Sequence, residues 1–229
     1  GKEISNEAVK NFSPKTKQDI KDNILLSLNK ATNKSLKKKI AEAGIRIYEG
    51  LIENEEKWDE FLKYLINIFN LDLNENNLDN IELGLYILSD IFSFAYDELK
   101  EGIPLFLSKF KIYFSSNLLS LKANTVDCVT ELLCNVSTKK EKKQFKEIIF
   151  NILETTKICL EQKDEENIKI CLDSLEDLAT RVPEILRKNF ENIYILTGKI
   201  YEEKNFDEKV REIGFDILIT KPIRSEEHT

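Results

Sequence analysis

The chain has 229 residues, of which 34 are basic and 41 acidic, for a formal charge of −7, with 41% apolar and 33% charged residues. That balance describes a folded chain with a substantial core, and its acidity argues against nonspecific attraction to nucleic acid as its main business. Seven glycines, four prolines and a lone histidine, His228, leave few turn formers and no basis for a histidine-centred catalytic or metal site.

Residues 1–13 read as an N-terminal remnant or frayed segment. From Pro14 onward helical patterning comes in pairs. "SPKTKQDIKDNILLSLNKA" precedes "SLKKKIAEAGIRIYEGLI", and "EEKWDEFLKYLINIF" precedes "NIELGLYILSDIFSFAYD". Next come "ELKEGIPLFLSKFKIYF" with "LSLKANTVDCVTELLCNV", then "KKEKKQFKEIIFNILETTKICL" with "ENIKICLDSLEDLATRV". The last pair is "PEILRKNFENIYILTGKIY" with "DEKVREIGFDILIT". Approximate repeats are therefore 14–53, 54–97, 98–137, 138–182 and 183–221, followed by a tail at 222–229.

First helices begin near 14, 55, 98, 138 and 183, a period of about 40–45 residues, which is that of two-helix HEAT repeats. The fold class expected is all-α, a right-handed α-solenoid of about five HEAT repeats. Pro183 fits this scheme. It lacks the N–H that a helix interior needs, but suits the first turn of a new helix and pushes Val182 out of helical geometry. It marks the corner where one repeat ends and the next begins. Each pair buries its apolar stripes only by stacking on its neighbours, so a terminal repeat should expose an apolar flank.

Cys128, Cys134, Cys159 and Cys171 form no C-x-x-C pair and lie in apolar helical stretches, the pattern of buried free thiols in a reducing compartment. No apolar run approaches the roughly 18 residues needed to cross a bilayer, so membrane insertion is not expected. With no Gly-rich phosphate loop, nucleophile elbow or H-E-x-x-H, no enzyme, cofactor or metal is expected either. The absence of methionine, even at position 1, suggests a piece of a longer chain.

The surface carries more information. In second helices the side opposite the apolar stripe is acidic: Glu82, Asp90 and Asp97, then Asp127 and Glu131, then Asp173, Glu176 and Asp177. Spacings of three, four and seven put these residues on one side of each helix, and stacking would align them into a ladder. Tyr86 shares the polar side with Ser89, Asp90 and Ser93 and is the candidate contact aromatic. Trp58, with Phe61, Leu62 and Leu65, reads as core on a first helix. An acidic inner surface attracts Lys/Arg-rich ligands in a salt-sensitive manner. A solvated polar face is the plain alternative, and the Lys-rich runs "SLKKKI" and "TKKEKKQFK" read the same way.

With the repeats in register, the chain resembles the importin-β (karyopherin-β) family, and within it the importin-five branch, from about Lys17 to Thr220. The features are Lys38, Lys39, Ile40 and Ala43 in an early second helix; Trp58, Glu60, Leu62 and Leu65 in the next first helix; the junction at Leu178, Ala179, Val182, Pro183 and Leu186; and Arg211, Ile217 and Thr220 in the last helix. Asp59 stands where the family commonly has proline, and several inner-helix alanines are replaced by larger residues. The resemblance implies a fragment of a nuclear import receptor that shuttles between cytoplasm and nucleus. Its expected partners are Ran-GTP, cargo proteins with basic signals, and nucleoporins, without direct nucleic-acid binding. A TOG-like tubulin-binding domain or a phosphatase-2A-type scaffold is the alternative. The turns "DLNENNLDN", "KDEEN" and "EEKNFDE", acidic or neutral, disfavour acidic tubulin.

Overall fold

A computed structural model describes residues 9–136 and 145–219. The N-terminal remnant through residue 8, residues 137–144 with most of the second Lys-rich run, and the tail with His228 lie outside the described residues. All regular elements among the described residues are helical. They are α1 (Pro14–Lys30), α2 (Lys34–Glu53), α3 (Asp59–Asn70), α4 (Leu78–Leu99), α5 (Ile103–Phe114) and α6 (Leu119–Asn135). They continue as α7 (Lys146–Gln162), α8 (Glu165–Arg181), α9 (Pro183–Leu186), α10 (Phe190–Glu202) and α11 (Glu208–Ile219). First helices of successive pairs start at residues 14, 59, 103, 146 and 183, spacings of 45, 44, 43 and 37. Contacts divide the chain into two compact units, residues 1–107 and 108–229.

Local chemistry sets the helix ends. Ser13 and Asn33 cap α1 and α2, their side-chain oxygens accepting from the Thr16 and Leu36 N–H groups at 3.1 and 2.9 Å. Asp164 does the same for α8 through the Asn167 N–H at 3.1 Å. Glu55 after α2 and Lys163 after α7 take left-handed φ values of 59° and 54°, the usual way to turn a chain out of a helix.

Pro183 occupies the first turn of α9, and Val182 before it has φ −142° and ψ 52°, outside the helical region. The continuous helix expected after Pro183 is instead broken: α9 has four residues, Arg187–Asn189 form a 3₁₀ turn, and α10 starts at Phe190. Another 3₁₀ turn, Lys100–Gly102, precedes α5. There α4 runs through buried Leu99, two residues past the expected repeat end, with a non-helical Ala95 (φ −130°, ψ 36°) kinking it near its C-terminus.

In the first unit, α2 packs against α1 and α4, and α3 against α4. Trp58 is buried as expected, but it precedes α3 rather than lying on it, stacked on Phe61 at 4.7 Å; Phe61 in turn touches Tyr48 at 5.8 Å. Gly44 permits this approach of α1, α2 and α3, since a Cβ there would stand 3.1 Å from the Phe61 ring and 3.2 Å from Ile24.

In the second unit, α8 packs between α6 and α11, α7 contacts α6 and α8, and α10 contacts α7 and α11. The second helices of consecutive pairs are thus neighbours. Thr125, Thr156 and Thr197 are buried and donate their hydroxyls to the carbonyls of Leu121, Ile152 and Ile193 in their own helices, at 2.7–2.9 Å. Cys128, Cys159 and Cys171 are buried free thiols and Cys134 is half-buried. On the last pair, Tyr201 and Phe215 pair at 5.3 Å in an exposed position, with Ile219 also exposed, so an apolar flank is present.

Candidate functional site

Each unit presents its own acidic surface. In the first, α2 and α4 lie side by side with Glu42, Arg46 and Glu49 on one helix and Glu82, Tyr86 and Asp90 on the other. Glu82 is turned onto Lys34, whose ammonium lies 2.6 Å from its carboxylate and has its pKa raised chiefly by that hydrogen bond. Its side chain is only 10% exposed, so Glu82 holds α4 against α2 and presents little free charge. Tyr86 is half-buried; its hydroxyl donates to Glu42 at 3.4 Å, and the Lys38 ammonium sits 4.3 Å above its ring. Burial, then the Asp90 and Glu42 carboxylates, push the Tyr86 pKa up.

Between these helices opens a cleft of about 420 Å³, lined by Glu42, Arg46, Glu49, Tyr86, Asp90 and Phe94, among others. Ser89 is not on this polar side: it is 5% exposed and belongs to the core, because the apolar stripe of α4 is wide enough to enclose it. Asp97 lies past the Ala95 kink, is exposed, and pairs with Lys100 at 2.5 Å; it does not line the cleft.

In the second unit, Asp127 and Glu131 stand on α6 and Asp173, Glu176 and Asp177 on α8. Arg181 of α8 reaches across to Glu131 at 2.8 Å. Asp173 and Asp177 are exposed and Glu176 is half-buried. The Glu176 carboxyl is held above the usual range by burial, then by the Asp216 carboxylate of α11, then by Asp173 and Asp177. Asp173 is raised as well, by burial and by Asp177 against an opposing Lys169. Carboxylates from α8 and α11 therefore face one another closely enough to repel. Asp216, Glu42 and Glu49 escaped the sequence reading, although Glu42, Arg46 and Glu49 are spaced to share one side of α2.

Among the described residues no three potential ligands are grouped to hold a metal ion, and no helix is long and apolar enough to cross a membrane.

A family model described as IPO5-like, TPR repeats, matches residues 32–196. The chain belongs to this IPO5-like family of karyopherin-β repeat proteins. Its helix pairs recur mostly at 43–45 residues, nearer the HEAT period than the 34 residues of tetratricopeptide repeats. Solved karyopherin structures share the IPO5-like fold. Kap121p bound to Pho4p matches with a TM-score of 0.71 at 17% identity, covering 94% of this chain and 21% of that one. Kap121p bound to the extreme C-terminus of the protein phosphatase Cdc14p matches at 0.71 and 16%, covering 99% and 21%. Kap121p bound to RanGTP matches at 0.69 and 15%, covering 94% and 19%. The IPO5-like chain spans about a fifth of the length of these karyopherins, and the likeness is one of fold, an all-α HEAT solenoid. Comparison with curated protein sequences returns no match.

Proposed function

We propose that the chain is part of a nuclear import receptor that shuttles between cytoplasm and nucleus, its second helices holding Ran-GTP and cargo with Lys/Arg-rich signals. The observation that carries this is the cluster of Asp173, Glu176, Asp177 and Asp216 on the packed helices α8 and α11 of the second unit, where burial and then the neighbouring carboxylates raise Glu176. Like charges crowded on rigid helices destabilise the free protein slightly and are relieved when a cation arrives. Glu82 and Glu131, already paired to Lys34 and Arg181, position helices; Asp90, Asp127, Asp173 and Asp177 are the exposed contact candidates.

Family membership supports the same reading, as do the solved complexes of Kap121p with RanGTP and Pho4p and, for nucleoporins as a partner class, with Nup53p. A Kap121p variant with three acidic residues replaced by lysine is also among the matching structures. A chain of this character acts by binding rather than by catalysis.

The test is a titration against Ran loaded with GTP or GDP, and against a Lys/Arg-rich peptide, at two salt concentrations. Preferential binding of the GTP form, weakened by salt and by Asp173→Lys with Asp177→Lys, supports the receptor reading. A folded protein that ignores nucleotide state and binds no basic peptide would be a generic repeat scaffold.

A further inference from the structure

We propose that the cleft between α2 and α4 in the first unit is a receptor for a single arginine side chain presented by a protein or peptide ligand. The inference rests on the reading that these inner helices hold basic partners, and adds which unit selects arginine over lysine. A cleft of about 420 Å³ holds a guanidinium and much of its stem. Its lining sets Glu42, Glu49 and Asp90 against the one cation Arg46, so formal charge within it is negative. The carboxylates come from two helices fixed to each other by the Lys34–Glu82 bridge and by the Lys37–Asn80 hydrogen bond at 2.5 Å.

Two features favour a guanidinium over other cations. The first is aromatic: Tyr86 and Phe94 both line the cleft, and an arriving guanidinium would compete with the chain's own Lys38, whose ammonium sits 4.3 Å from the Tyr86 ring. A planar, weakly hydrated guanidinium stacks on such rings better than an ammonium does. The second is the spread of the acids. A fork of five N–H donors can address carboxylates on opposite helices at once, where lysine engages them only as a point charge. No three of these oxygen-bearing groups are grouped for a metal ion.

The experiment compares fluorescein-labelled hexapeptides of alternating glycine with arginine, lysine or citrulline, by anisotropy at low salt. Protein variants are Glu49→Gln with Asp90→Asn, Tyr86→Leu, and, in the other unit, Glu176→Gln with Asp177→Asn; circular dichroism checks that each stays helical. The expected result is that wild type prefers the arginine peptide and that the Glu49/Asp90 pair weakens it about tenfold. Tyr86→Leu should bring arginine affinity down towards that of lysine, while the Glu176/Asp177 pair weakens both peptides and preserves the preference. An arginine preference that survives both cleft variants, or that never existed in wild type, overturns the arginine site. If binding is then lost only in the Glu176/Asp177 pair, the receptor reading stands without this cleft; if no basic peptide binds wild type, both fall.

Discussion

Gly44 and Phe61 provide a quantitative test of how the first unit is packed. A Cβ at Gly44 would stand 3.1 Å from one Phe61 ring carbon, 3.3 Å from another and 3.2 Å from Ile24. Gly44→Ala gains about 1 kcal/mol of helix propensity, but overpacking costs about 1–3 kcal/mol, for a net loss of about 0–2 kcal/mol. Phe61→Leu loses part of a buried ring and its stacking on Trp58, about 1–2 kcal/mol. In the double variant the nearest ring carbons are gone and only the Ile24 contact remains. The alanine then recovers its propensity gain, and the two losses should sum to at least about 0.5 kcal/mol less than additivity requires. Urea unfolding of all four proteins measures this, with fluorescence of Trp58, the sole tryptophan, reporting on the first unit. Additive losses, or a Gly44→Ala single variant more stable than wild type, would refute the close approach of α1, α2 and α3.

Arg181→Ala should cost under about 1 kcal/mol, because the pair with Glu131 is partly exposed, yet it should tighten binding of a basic peptide and steepen its salt dependence; anisotropy at two salt concentrations reads both. Glu176→Gln should be stabilising at pH 7. A carboxyl with a raised folded-state pKa contributes stability below its ordinary value and loses it as pH rises through the raised one, so the variant's advantage, within about 0.5 kcal/mol, should vanish in acid unfolding experiments. Asp164→Ala should destabilise the second unit by about 1 kcal/mol through loss of the α8 cap, with hydrogen exchange fastest in the first turn of α8.

The paired helices were readable because the signals are local: a 3.6-residue stripe and Pro183 at a helix start. The caps Ser13, Asn33 and Asp164, equally local, escaped the sequence reading and would have fixed three of the helix starts. The end of α4 was not. Nothing local distinguishes Glu98–Leu99 from the following helix, and it is burial of Leu99 that keeps the chain helical there. The break between α9 and α10 was likewise hidden in a sequence whose propensity is helical throughout. For the site, one-helix reasoning found the acids of α4, α6 and α8 but not which of them are neutralised. The bridges Lys34–Glu82 and Arg181–Glu131 join residues 48 and 50 apart, so they depend on how neighbouring repeats are registered. The cleft needed the same information, since Glu42 and Glu49 gain meaning only when α4 brings Tyr86 and Asp90 beside them.

The buried threonines have a mechanical consequence. Thr125, Thr156 and Thr197 each spend a hydroxyl on their own helix, so these groups do not bolt one helix to the next. Among the described residues of the second unit, polar ties between helices, such as Arg181–Glu131 and the Asp207 N–H donating to Glu165 at 2.7 Å, lie at exposed positions, so the interior of each seam rests mainly on dispersion contacts, which change gradually with small displacements. Small displacements of the helices in this unit are therefore spread over many weak contacts rather than concentrated at the threonines.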